Sequence, residues 1–255
     1  MTSNLIQRAM EIAREEGLKE LITRSWFFVV KGRSVRKQIF ESKNSAEIFR
    51  KIYLNNYWGS KESISGTGSE SHQTTLIKKN LPLLLRKYNC KTILDAPCGD
   101  YLWMSEIIND SDINYIGGDI VSDLVEKNIV SYSSNRVKFL VLDICNDKLP
   151  TADLLICRDC LFHLSEKDIN KFLVNFLNSE IPLLLTTTHL QGDKSFVNRD
   201  ILSGDFRRID LFKPPYSFSS SLGDRFDDFI APEPPRQMWL FAREDIQSAL
   251  GGIKF

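Results

Sequence analysis

Four acids and two histidines stand at or just beyond the ends of successive apolar runs in this sequence. Asp95 follows Thr92–Leu94, Asp119 follows Tyr115–Gly117, and Asp143 follows Val137–Leu142. Asp159 follows Asp153–Cys157, with His163 close behind, and His189 comes after Leu183–Thr187. A carboxylate can accept hydrogen bonds from both hydroxyls of a diol, and a neutral imidazole can take a proton from a hydroxyl. One such acid could be a helix cap. A series spaced one strand-plus-helix unit apart reads as a binding edge.

The elements that must present this edge are legible from periodicity. The five runs are expected as strands. Helical segments lie between them near 101–109, 122–130 and 166–178, the last opened by Ser165 as a capping residue. Continuous apolar strands alternating with helices make a parallel sheet covered on both faces, whose ligands bind beyond the carboxyl ends of the strands. A late strand at 237–241 and a final helix at 243–250 complete the series. Upstream, helices are expected over 4–25, 45–55 and 71–88, the last bent or restarted at Pro82. The short Trp26–Val30 run reads as packing against the main domain. Residues 1–55 form an N-terminal helical extension, 56–255 the main domain, and the Pro-, Ser- and Arg-rich stretch 190–236 a cover over the binding edge.

The first turn, Asp95-Ala96-Pro97-Cys98-Gly99-Asp100-Tyr101, narrows the ligand. A dinucleotide turn needs small residues so that its backbone can approach a pyrophosphate. Pro97 and Tyr101 stand where two glycines belong, which argues against a nicotinamide-dependent reductase. Gly99 alone suffices for a ligand without phosphate. Asp119, 24 residues beyond Asp95, suits a pair of ribose hydroxyls, and Asp143 with Ile144 suits an adenine amino group and face. The ligand so described is an adenosine with a zwitterionic, phosphate-free tail.

Composition excludes other classes. The 255 residues carry 33 basic and 33 acidic side chains, a formal net charge of zero, so no polyanionic partner such as nucleic acid is expected. Five scattered cysteines read as reduced thiols of a cytoplasmic protein, and Cys157-Arg158-Asp159-Cys160 lacks the second pair that zinc requires. No apolar run is long enough for stable membrane insertion.

Asp95-Ala96-Pro97-Cys98-Gly99-Asp100, Gly117-Gly118-Asp119-Ile120, Leu142-Asp143-Ile144 and Cys157-Arg158-Asp159 resemble, in order, the motifs of class I S-adenosylmethionine-dependent methyltransferases. The Tyr57-Trp58-Gly59-Ser60 loop and the Cys157–Ser165 run are similar to those of bacterial methyltransferases acting on capsule or O-antigen sugars. The resemblance implies an α/β fold, a doubly wound, Rossmann-like sheet of seven mostly parallel strands with helices on both faces. It assigns Asp95, Pro97 and Gly99 to the methionine end of S-adenosyl-L-methionine, Asp119 and Ile120 to the ribose, and Asp143 and Ile144 to adenine. Arg158 and Asp159 would lie beneath the sulfonium, and Trp58, Gly66 and Gly68 would belong to a loop closing over it.

On the acceptor side, a sugar hydroxyl needs a base, whereas a neutral amine does not. His163 is the expected base with Asp159 as its partner, and His189 faces the same space. These three could equally hold a divalent metal, a choice the residues leave open. His72 reads as a surface or supporting group. Arg207, Arg208 and Arg236, with Arg199, could clamp a phosphate or uronate, while Tyr216, Phe218 and Trp239 could stack on a sugar or its nucleotide. The expected acceptor is a small molecule or nucleotide-linked sugar. A small-molecule N- or O-methyltransferase and a catalytically silent binding module stand as alternatives, and the N-terminal helices as a homo-oligomer contact.

Overall fold

The computed structural model describes residues 32–251 except 43, 191, 193, 194 and 232–234. The expected helix over 4–25, the Trp26–Val30 run and the oligomer contact they suggested lie outside the described residues.

Two short helices lead in, α1 (Gly32–Phe40) and α2 (Ser45–Leu54). Asn44 caps α2 by accepting from the Ala46 amide at 2.8 Å. A polar loop containing one 3-10 turn (Thr67–Ser69) then leads to α3 (Thr75–Lys87), a single helix that runs through Pro82. The alternating part follows: β1 (Thr92–Asp95), α4 (Leu102–Asn109), β2 (Asn114–Asp119), α5 (Ser122–Tyr132), β3 (Val137–Val141), β4 (Leu154–Cys157), α6 (Glu166–Asn178) and β5 (Leu183–Thr188). Ser165 caps α6 as its sequence implied, accepting from the Asp168 amide at 3.2 Å. The described residues end with β6 (Arg225–Asp227), β7 (Gln237–Ala242) and α7 (Arg243–Gly251).

The seven strands form one sheet in the order β3-β2-β1-β4-β5-β7-β6. β1 to β5 pair in parallel, and β7 runs antiparallel to β5 and to β6. Alternation divides the core between the two faces. Leu94, Leu155 and Leu184 point with Phe172, Phe176 and Phe241 into one cluster, while Ile93, Ile156 and Leu185 point with Leu81, Trp103 and Met104 into the other. Each fully buried side chain of this size contributes about 1.5–3 kcal/mol. The chain winds out from β1 to β3 and restarts at β4, so the crevice between β1 and β4 is the switch point where such sheets bind ligands.

The stretch 190–236 is less of a cover than expected. Ile209, Leu211, Tyr216 and Phe218 are buried in the main core. The same stretch holds β6, which is three residues long with two of them exposed, too short to show alternation in sequence. Among the described residues, no helix is long and apolar enough to cross a membrane.

Candidate active site

A cavity of about 590 Å³ opens at the carboxyl ends of the parallel strands. The turn after β1 forms its floor. Gly99 adopts φ +56°, and a Cβ there would come within 2.2 Å of Ser65 Oγ. Its amide donates to Asp119 Oδ2 at 3.1 Å, and Asn128 Nδ2 donates to its carbonyl at 2.8 Å. Tyr101, one of the residues standing in a glycine's place, also adopts a left-handed φ of 62°. Its buried ring packs on Tyr115 and Phe139 with centroids 4.7 and 5.1 Å away, so tertiary packing holds a conformation that glycine would take unaided.

The acids of the first three strand ends all line the cavity with Pro97, Ile120 and Ile144. Asp119 also accepts from the Val121 amide at 3.0 Å, and burial pushes its carboxyl up to about 6 against those backbone bonds. Burial likewise pushes Asp95 up to about 7, opposed by the hydrogen bond from the Tyr115 hydroxyl at 2.8 Å. Asp143 is fixed by the Cys145 amide at 2.8 Å and by Asn146 Nδ2 at 2.7 Å.

The loop 58–69 closes one side. Asp100 pins it: Oδ2 accepts from Ser63 Oγ at 2.7 Å and from the Ile64 amide at 3.1 Å, while the Asp100 amide donates to Ser65 Oγ at 3.0 Å. Sequence reasoning gave Asp100 no role, although a second acid in the turn was a visible signal. Gly66 packs against Trp58. At Gly68 a Cβ would lie 2.6 Å from Asp159 Oδ2.

Beyond β4 the charged residues sort into two kinds. Arg158 was expected beneath a sulfonium, but its guanidinium is committed to the protein. Nε donates to Asp228 Oδ2 at 2.7 Å, Nη2 to Asp228 Oδ1 at 3.3 Å and to the Gly68 carbonyl at 2.9 Å. Asp228, fully buried, was not anticipated; it lies in a stretch with no local pattern. Asp159 accepts from Arg236 Nε at 3.1 Å and from Thr187 Oγ1 at 3.2 Å. Burial alone would raise its pKa, but Arg158 and Arg236 hold it below the usual carboxylate value.

Asp159 is not the orienting partner expected for His163. That role falls to a backbone atom: His163 Nδ1 donates to the Asp205 carbonyl at 2.8 Å. The proton is thereby fixed on Nδ1 and the lone pair left on Nε2, which has no hydrogen-bond partner among the described residues. Trp58 stacks on the ring at 5.1 Å. Burial lowers the His163 pKa, so the ring is neutral at pH 7. His189 is also neutral, its pKa brought down to about 4 chiefly by burial. The Ile209 amide donates to its Nδ1 at 3.4 Å. Among the described residues no group of three or more His, Cys, Asp or Glu is placed to hold a metal ion.

Four of the expected acceptor contacts are corrected. Arg207 is 1 % exposed and bonds internally to the Leu164 carbonyl and to the Tyr216 hydroxyl, itself buried, so neither reaches the cavity. Trp239 packs on Phe212 at 4.5 Å, away from the cavity. Arg208 is exposed and is not part of the wall, and His72 is exposed as expected. Of the described residues in 190–236, Gly204, Asp205, Phe206 and Arg236 line the cavity, facing Phe49 and Tyr53 of α2.

No family model matches the chain, and no curated protein matches it. Solved structures share its fold. Magnesium protoporphyrin IX methyltransferase from Synechocystis PCC 6803, with bound S-adenosylmethionine, has a TM-score of 0.53 at 13% identity, covering 79% of this chain and 98% of its own. A 1,6-didemethyltoxoflavin-N1-methyltransferase from Burkholderia thailandensis, with S-adenosylhomocysteine, has a TM-score of 0.54 at 12% identity, covering 77% and 88%. A Leishmania major S-adenosylmethionine-dependent methyltransferase has a TM-score of 0.55 at 14% identity, covering 78% and 86%. The chain therefore has the fold of the S-adenosylmethionine-dependent methyltransferases. The donor set fits that cofactor: the buried carboxylate of Asp119 lines the cavity with the Gly99 turn on one side and Asp143 and Ile144 on the other.

Proposed function

We propose that the chain is an S-adenosylmethionine-dependent methyltransferase that methylates a hydroxyl of a sugar destined for a bacterial surface polysaccharide and carried on a nucleotide. The observation that carries this reading is His163: a neutral imidazole on the cavity wall, its Nδ1 proton held by a backbone carbonyl and its Nε2 open. A hydroxyl needs such a base, whereas a neutral amine does not.

Asp119 would hold the ribose hydroxyls, Asp143 and Ile144 the adenine, and Asp95, Pro97 and Gly99 the methionine end. When bound, the cofactor supplies a methyl group on a positively charged sulfur. His163 Nε2 would take the acceptor's hydroxyl proton as that oxygen is methylated, the cofactor being released in its neutral, demethylated form. Loop 58–69 and the aromatic rings of Trp58, Phe206 and Tyr53 exclude water and offer flat faces to a sugar ring. The similarity of the Cys157–Ser165 run to sugar methyltransferases supports the acceptor class.

Calorimetry tests the cofactor. S-adenosylhomocysteine should bind and NADH should give no heat, and Asp119→Ala should weaken binding by about 1.5–3 kcal/mol, as for a lost charged acceptor. Methyl-labelled donor should transfer its label to one or more of a panel of nucleotide-linked sugars. Binding of NADH with no response to S-adenosylhomocysteine would overturn the reading; label moving only to amines would overturn the acceptor.

A further inference from the structure

Arg236 is the residue before β7, and the register that pairs Gln237 with Thr188 sets it opposite His189. It is 4 % exposed and forms part of the cavity wall. Nε is engaged by Asp159, but Nη2 is buried with no hydrogen-bond partner among the described residues. Buried guanidinium nitrogens are seldom left unpaired, so a ligand oxygen is the natural completion of this one. The other arginines lining the cavity are already committed, Arg158 to Asp228 and Arg36 to Asp205.

Position says which ligand. The Gly99 turn sits at the end of β1, three strands from β7 in the order β1-β4-β5-β7. Strands are about 4.8 Å apart, so the Arg236 backbone stands on the order of 14 Å along the sheet from that turn, on the side of the histidines, and its side chain reaches back to Asp159 beyond β4. An arginine offers two parallel N–H donors to a carboxylate or phosphate.

We propose that the methyl acceptor carries an oxyanion, a carboxylate or a phosphate, and that the unpaired Nη2 of Arg236 donates to it while His163 faces the hydroxyl of the same molecule. This deepens the methyltransferase reading and rests on it for the identity of the acceptor. The competing occupant is the cofactor's own amino-acid carboxylate, because a Cβ on Gly68 of the covering loop would lie 3.3 Å from Nη2.

The test follows the Arg236 Nε–H signal by NMR in the full chain saturated with S-adenosylhomocysteine, the signal being identified by its loss in Arg236→Lys. Acetate or inorganic phosphate should shift it saturably in the millimolar range, and whichever binds more tightly gives the class of oxyanion. Glycerol at the same concentration should not shift it. Arg236→Gln should leave S-adenosylhomocysteine affinity within about threefold, and Arg236→Lys gives the same comparison if the Gln variant does not fold. No saturable shift with either anion overturns the proposal. So does a tenfold or greater loss of S-adenosylhomocysteine affinity in the variant with 5′-methylthioadenosine, which lacks the carboxylate, unaffected. If S-adenosylhomocysteine fails to bind the parent, the methyltransferase reading falls, while the anion titration of the ligand-free protein still reports on the Arg236 subsite.

Discussion

His163 and His189 occupy neighbouring strand ends and are both neutral, yet they offer the cavity opposite valences. The Asp205 carbonyl keeps the His163 proton on Nδ1 and leaves Nε2 as an acceptor. The Ile209 amide occupies Nδ1 of His189, which leaves its proton on Nε2. Only His163 can therefore serve as a base at neutral pH. His163→Ala should lower kcat by about 10²–10⁴-fold with S-adenosylhomocysteine affinity near that of the parent. Because burial lowers the His163 pKa, the rate of the parent should hold level through neutral pH and fall only below the usual imidazole value of about 6.5, as Nε2 takes a proton. Full turnover in the alanine variant, or a rate that rises on acidification, would remove the base from His163.

At the scale of elements, the cavity depends on a loop with little regular structure of its own. Loop 58–69 is fastened to the β1 turn through Asp100, which is only 9 % exposed and satisfies two donors of the loop. Asp100→Ala leaves Ser63 Oγ and the Ile64 amide without their acceptor, at a cost of about 1–3 kcal/mol. Urea unfolding should show that loss. Amide exchange at Ile64 and Ser65 should quicken while α3 stays protected, and S-adenosylhomocysteine should bind more weakly. Unchanged affinity would mean that the loop takes no part in closing over the cofactor.

For the whole molecule, the two apolar clusters on the sheet's faces are continuous, whereas α1 and α2 rest on a small cluster of their own, Ile39, Ile48 and Ile52. These helices roof the cavity with Phe49 and Tyr53 and are tied down at two places. Arg36 pairs with Asp205 at 2.6 Å beside the histidines, and Arg50 pairs with Asp123 at 2.6 Å at the start of α5. The arginines are half exposed, so each pair adds little stability and is weakened by salt. Replacing both Arg36 and Arg50 by Ala should leave the global unfolding midpoint nearly unchanged and speed amide exchange in α2 severalfold. Raised ionic strength should act in the same direction on the parent. Unaltered protection of α2 would show that the roof is held by packing alone.

Most of the sheet, its helices and the binding edge were legible in the sequence, whereas the three-residue edge strand β6 was not. Apolar periodicity and the polar residue that ends each run are local properties, and β1 to β5, the Ser165 cap and the cavity positions of Asp95, Asp119 and Asp143 follow from them. Pro97 and Tyr101 also argued against a pyrophosphate cradle at the β1 turn. The acceptor side was another matter. Arg207 and Arg236 are alike in charge and both lie in an irregular stretch, yet one enters the core beside Tyr216 and the other lines the cavity. No periodicity fixes where a side chain points in such a stretch; the path of 204–218 against α6 and β5 decides it. The partner of His163 is a carbonyl, an atom every residue possesses, so no residue type could announce it. Tyr101 shows the same division in one residue: its side chain argued against a dinucleotide, but only the rings of Tyr115 and Phe139 packed around it explain how it holds a glycine's conformation.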